Sequence, residues 1–132
     1  MYRNTKVLKA AVFTFLGSKY GEQLTGSDMI MRDNIICCNR RLTYNPEALG
    51  SRFVHDHNVY YFTNGGYMGS TVLDPTEKIA DPQFIDPSKT NFRQQPGGPA
   101  TTGADEILYN YDLDGVAIIQ NQPVSIGAYQ YR

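Results

Sequence analysis

The sequence predicts an all-β fold of stacked parallel coils, and three observations point there. Ten Tyr and six Phe accompany no Trp in 132 residues, an aromatic usage that suits pleated, half-buried surfaces. Two apolar runs in the first half repeat at an offset of 24 residues. The stretch "DPQFIDPSKTNFRQQPGGPA", residues 81–100, carries four of the seven prolines and no run able to build a helix.

The length allows one domain at most, or part of one. A net charge of −1 supplies no electrostatic reason for a nucleic acid or an anionic membrane as partner. No apolar stretch is long enough to span a bilayer.

The chain opens on "MYRNTKVLKAAVFTFLGS", where Arg3, Lys6 and Lys9 precede the apolar run from Ala10 to Leu16. This loosely mimics a signal peptide, but Thr14 interrupts the run and Gly17-Ser18-Lys19 makes a poor cleavage site, so a buried strand is favoured. The repeat follows. Laying "DMIMRDNIICC" over "RFVHDHNVYYF" sets Met29 on Phe53, Ile30 on Val54, Asn34 on Asn58, Ile35 on Val59 and Ile36 on Tyr60. Apolar meets apolar and the lone Asn meets the lone Asn, as in solenoids whose units bury a face against the next. Met29, Ile36, Phe53 and Tyr60 are the expected inward residues. Asn34 and Asn58 are expected to stack at a corner, since Asn tolerates a left-handed bend and bonds to nearby backbone.

Cys37 and Cys38 are adjacent on a predicted strand. Their side chains point to opposite faces, which disfavours a disulfide between them, and both are expected to be at least partly buried. No zinc-ligand spacing is present, so no metal residues are assigned. Asn64-Gly65 offers a local hairpin between "VYYF" and "YMGSTVL".

The later segments carry a resemblance. "DPQFIDPSKTNFRQQPGGPA", "DLDG" (112–115) and "VSIGAYQY" (124–131) occur in that order. The series resembles the C-terminal end of secreted bacterial right-handed parallel β-helix proteins of the pectate-lyase-like superfamily, with a choice-of-anchor Q type ending. "DHNVYYF" is similar to the last regular coil before such an ending. Gly98, the run Thr101 to Ala104, and Gln130 depart from the pattern.

The resemblance implies the last two to three coils of a right-handed parallel β-helix over residues 1–80. A Pro-rich cap and closing strand follow over 81–132. The chain is then expected to be the end of a longer, secreted or cell-surface solenoid. It also implies a carbohydrate-active parent, a polysaccharide lyase or glycoside hydrolase, possessing Ca²⁺ in many families. The partner implied is a polysaccharide or surface glycan. The alternative is a noncatalytic adhesive β-helix that binds glycan or protein.

No catalytic residues are assigned within this chain. Arg52, His55, His57, Tyr60 and Tyr61 are the candidates for substrate contact. Arg suits planar anions, His carries acid–base and ligand chemistry, and Tyr60, Tyr61 and Tyr67 offer rings for sugars. His55 and His57, two residues apart, are expected to share one face of a strand. Arg32 is a second candidate for a carboxylate, with a plain surface position favoured. Asn34, Asn58, Phe84, Phe92 and Gly127 are assigned structural roles. Phe84 and Phe92 anchor the cap on the last coil, and Gly127 permits close backbone approach. Asp112 and Asp114 are expected to form an Asx-type turn, and Asp74, Asp81 and Asp86 precede prolines as turn acids.

Overall fold

The structure, a computed structural model, describes residues 12–14, 28–44, 46, 49–105, 109–119 and 121–131. The described residues form an all-β protein. Its strands are β1 (Phe13–Thr14), β2 (Met29–Arg32), β3 (Ile35–Cys38), β4 (Arg41–Tyr44), β5 (Phe53–Asp56), β6 (Val59–Phe62), β7 (Tyr67–Gly69), β8 (Lys78–Ile79), β9 (Phe84–Asp86) and β10 (Asn91–Gln94). Among the described residues no helix is long and apolar enough to cross a membrane. The signal-like N-terminus lies outside the described residues except for 12–14, where β1 falls within the predicted strand.

Four sheets result, in the orders β1-β4-β7, β2-β5, β3-β6-β8 and β10-β9. The pairs β1–β4, β4–β7 and β6–β8 run parallel. So do β3 and β6: the Val59 amide donates to the Asn34 carbonyl at 2.9 Å and the Thr63 amide to that of Cys38 at 3.0 Å. These two bonds advance along both strands in the same sense, which only a parallel pair allows. Every one of these strands is short, two to four residues long, and about half of their residues are β-branched or aromatic, types that suit a pleated surface.

The corner residues differ from the expectation. Asp33 and His57 hold the left-handed backbone, with φ of 58° and 53°, one position before the asparagines. With the bend there, Asn34 bonds to the Asn58 side chain and Asn58 to Glu77. The left-handed backbone of His57 also ends the strand alternation that the sequence uses to put His55 and His57 on one face. Asn64 and Gly65 do form a tight turn, both with positive φ, closed by the Gly66 amide on the Thr63 carbonyl at 2.9 Å. It makes no hairpin, because β7 pairs with β4 and not with β6.

Two compact units divide the chain. The first takes the described residues up to Ile30, Cys37–His55 and Phe62–Val72. Leu42, Leu49, Thr43 and Met68 are buried in it. The Thr43 hydroxyl donates to the Met68 carbonyl at 2.8 Å and lies 2.7 Å from that of Thr71. Cys37 is exposed and Cys38 half-buried, with no disulfide. Cys37 therefore departs from the buried position expected of it, although alternation along β3 sets it on the same face as Ile35.

The second unit takes Met31–Ile36, Asp56–Tyr61 and the chain from Leu73 onward. Its core joins Val59, Ala100 and Ile126, with Ile35 and Ala104 packed against them. Val59 pairs with Lys78, and the Val59–Asn34 bond sets Ile35 beside Val59. Ile35, Val59 and Lys78 therefore line one face of β3-β6-β8, and residues 98–104 with 124–127 cover that face. The Ile126 amide donates to the Ala100 carbonyl at 2.9 Å and the Gly127 amide to that of Asp33 at 2.9 Å. Gly127 has φ of 98°, and a Cβ there would stand 2.9 Å from Ile35 Cδ1. No strand is present among residues 121–131. "VSIGAYQY" docks through single backbone bonds because the left-handed Gly127 interrupts any extended run.

The anchoring of the cap also differs. Phe84 is half-buried and Phe92 is 44% exposed, and the two rings meet edge to face at 5.4 Å. The antiparallel β9–β10 pair loses register between Asn91 and Gln94. That irregularity breaks the inward–outward alternation, turning Gln94 in and Phe92 out. Within 81–100 the buried residues are Pro82, Gln94, Gly98 and Ala100, and Ser125 and Ile126 are buried further along the chain.

Candidate functional site

The most connected polar feature of the second unit is a ladder at the coil corners. The Asn34 amide and side-chain Nδ2 both donate to Asn58 Oδ1, at 2.9 Å and 3.1 Å. Asn58 Nδ2 donates to the Met31 carbonyl and to Glu77 Oε1, each at 2.8 Å. Glu77 Oε1 also accepts from the Tyr60 hydroxyl at 2.6 Å, and Oε2 from the Asp74 amide at 2.9 Å. Because Val59 pairs with Lys78, Glu77 stands just before β8 in the position that Asn58 takes just before β6. Three donors converge on its buried carboxylate, which satisfies a charge that would otherwise be costly in the interior. Burial first, and the Glu77 partner second, push the Tyr60 phenol well above its ordinary range.

Beside the ladder lies a charged cluster. Arg32 grips Asp56 with both arms of its fork, Nε to Oδ1 at 2.5 Å and Nη2 to Oδ2 at 2.7 Å. Its Nη1 stands 3.3 Å from Asp105 Oδ2. His57 Nδ1 is 3.1 Å from Asp56 Oδ1, and the His57 amide donates to Thr76 Oγ1 at 2.9 Å. Asp33 Oδ1 accepts the Asp105 amide at 2.8 Å. The Arg32 guanidinium holds the Asp56 carboxyl down to about 2. Burial raises the Asp33 carboxyl above its ordinary value. Arg32, weighed from sequence against a plain surface position, is thus the hub of this cluster.

The other candidates are spread out. Arg52 ends the 3-10 turn Gly50–Arg52 and is half-buried. His55 is half-buried with its ring 5.0 Å from that of Phe53. Tyr61 is half-buried in β6, whereas Tyr60 is 1% exposed. A ring so enclosed presents no face to a sugar, so Tyr60 belongs to the interior. His57 alone of the five joins the charged cluster.

The three C-terminal segments meet through polar contacts. Arg93 binds Asp114 through Nε at 2.7 Å and again through Nη2, and its guanidinium lies 5.0 Å from the Tyr129 ring centroid. Asp112 Oδ1 accepts the Asp114 and Val116 amides at 2.9 Å and 2.7 Å, and Oδ2 accepts the Gln130 amide at 2.8 Å. Gln94 Nε2 donates to the Ile126 carbonyl at 3.2 Å. Asp112 thus makes the Asx turn expected of "DLDG" and ties it to the chain end. Asp74, Asp81 and Asp86 likewise each accept from a group two residues on.

Sequence reasoning missed Glu77 and Asp105. Glu77 stands at an offset of 19 rather than 24 from Asn58, and Asp105 lies 72 residues from its partner Asp33. Neither spacing leaves a periodic trace. In the first unit, Arg41 was also missed: its Nε donates to the Tyr67 hydroxyl at 2.8 Å, and its guanidinium lies 5.4 Å and 5.5 Å from the Tyr44 and Tyr67 rings.

No family model, no curated protein and no solved structure matches this chain.

Proposed function

We propose that this chain forms the closing coils and C-terminal cap of a secreted, right-handed parallel β-helix of the carbohydrate-active class. Its role is structural, with glycan contact on its surface. The observation that carries this reading is the Asn34–Asn58–Glu77 ladder, in which equivalent residues of successive coils bond directly over one another. The parallel register of β3, β6 and β8 supports it, as does the mutual binding of the three C-terminal segments. Those contacts seal one flank of the coils, a use for segments rich in proline and turn acids that cannot extend a ladder. The charged cluster favours structure over catalysis, since Arg32 keeps Asp56 ionised and doubly bonded and so unsuited to donate a proton.

Incubating the purified chain with pectin, alginate and chondroitin tests this reading. Release of unsaturated uronate is expected to be absent, and release that disappears in His57→Ala overturns the structural role. Retention on the immobilised polysaccharides is expected to fall in an Arg52→Ala, Tyr61→Ala double variant. Equal retention by that folded variant removes these residues from glycan contact.

A second reading, an adhesive β-helix without catalysis, is favoured by one observation. Tyr109, Tyr111 and Leu113 lie close together in one loop and are 74%, 64% and 72% exposed. Its backbone is folded back through the Tyr111–Ala117 bridge.

A further inference from the structure

We infer that Asp56, His57 and Asp105 form a binding site for a divalent transition ion of the Zn²⁺ type, which clips the C-terminal segment to the corner between β5 and β6. One ligand atom from each of the three lies within 4.8 Å of the others. The set is one imidazole and two carboxylates, the nitrogen–oxygen donors such ions take, leaving a coordination position for water. Spacing supports it further. Tetrahedral bonds of about 2.0–2.2 Å set neighbouring ligand atoms roughly 3.3–3.5 Å apart, and His57 Nδ1 already stands 3.1 Å from Asp56 Oδ1. A metal replacing the proton between those atoms needs little movement of either. Asp105 need only approach, and its side chain is 40% exposed, so it has room to do so.

Charge points the same way. Asp33, Asp56 and Asp105 all act on one guanidinium, that of Arg32, three carboxyl groups to a single arginine. Arg32 neutralises Asp56, while its contact with Asp105 is the longer one at 3.3 Å. The ion and Arg32 thus compete for the same carboxylates, a relation that a purely structural salt-bridge cluster does not share. Rigid backbone holds the donors: His57 is fixed in its left-handed corner and Asp105 by its amide on Asp33. An imidazole donor disfavours Ca²⁺, which selects oxygen ligands. The inference is independent of any glycan contact.

Titration of the full chain with Zn²⁺, followed by calorimetry and thermal melting, tests the site. One ion per chain should bind, and the midpoint should rise by about 5 °C or more at a hundredfold excess over Kd. Ca²⁺ should produce no such rise. His57→Asn, in which Asn tolerates the φ of 53°, and Asp105→Asn should each weaken Zn²⁺ binding tenfold or more. His55→Gln and a Cys37→Ser, Cys38→Ser double variant should bind as the unaltered chain does. Arg32→Gln, if its metal-free melt is cooperative, should bind more tightly. Absence of a one-to-one complex, unaltered affinity in His57→Asn or Asp105→Asn, or loss of binding in the cysteine variant overturns the assignment. Weaker binding by a folded Arg32→Gln overturns the competition on which it rests.

Discussion

At the scale of residues, Glu77 shows how one carboxylate organises its surroundings. It gathers Asn58, Tyr60 and the Asp74 amide, so all three donors depend on Glu77 being in place. Tyr60 feels this most, and its phenol is raised above its ordinary value by burial and by Glu77. A group whose folded-state pKa is raised contributes stability that is full below the unfolded value and fades as pH climbs past it. For Tyr that value is about 10. Unfolding in urea should therefore show a decline in stability above about pH 10 that is shallower in Tyr60→Phe. At neutral pH the same variant should lose roughly 1.5–3 kcal/mol, the worth of a hydrogen bond to a charged acceptor. Identical alkaline declines in the two proteins would show that Tyr60 is not coupled to folding in this way.

At the scale of elements, the flank contributed by residues 98–104 and 124–127 matters more than the β9–β10 pair. Ile126 is 1% exposed within the core with Val59 and Ala100, whereas Phe92 is 44% exposed. Truncating a buried Ile typically costs about 2–5 kcal/mol, because the cavity collapses only in part. Ile126→Ala should fall in that range by chemical denaturation. Phe92→Ala should cost less than about 1.5 kcal/mol, since the aromatic pair with Phe84 is most of what it loses. A larger loss in Phe92→Ala than in Ile126→Ala would return the anchor to the phenylalanines. What the sequence made legible is visible in these same elements. Proline and acid spacing marked 81–100 as a turn-rich segment, and Gly127 as a point of close approach. The identity of the anchor was hidden because a register break in β10 reverses which side chains face inward, and such a break has no periodic signature.

At the scale of the whole chain, the legible part was the equivalence of Asn34 with Asn58. A shared residue type at matched positions of two apolar runs reflects a physical need, an amide at Asn34 able to bond both the Arg32 backbone and the Asn58 amide. The third equivalent, Glu77, was illegible because both the spacing and the residue type change where the ladder ends on a carboxylate. The charged cluster was legible only in fragments. Arg32 and His57 stood out by chemistry, while Asp105 reaches them through a fold-back no local pattern announces. All of this depends on β3 and β6 running parallel and in register. Nuclear Overhauser contacts from the amide protons of Val59 and Thr63 in the isotope-labelled chain test it most directly. Contacts are expected from Val59 to the Asn34–Ile35 stretch and from Thr63 to the Cys38–Asn39 stretch, advancing together along both strands. Contacts running the opposite way, from Val59 to Cys38 and from Thr63 to Asn34, would contradict it.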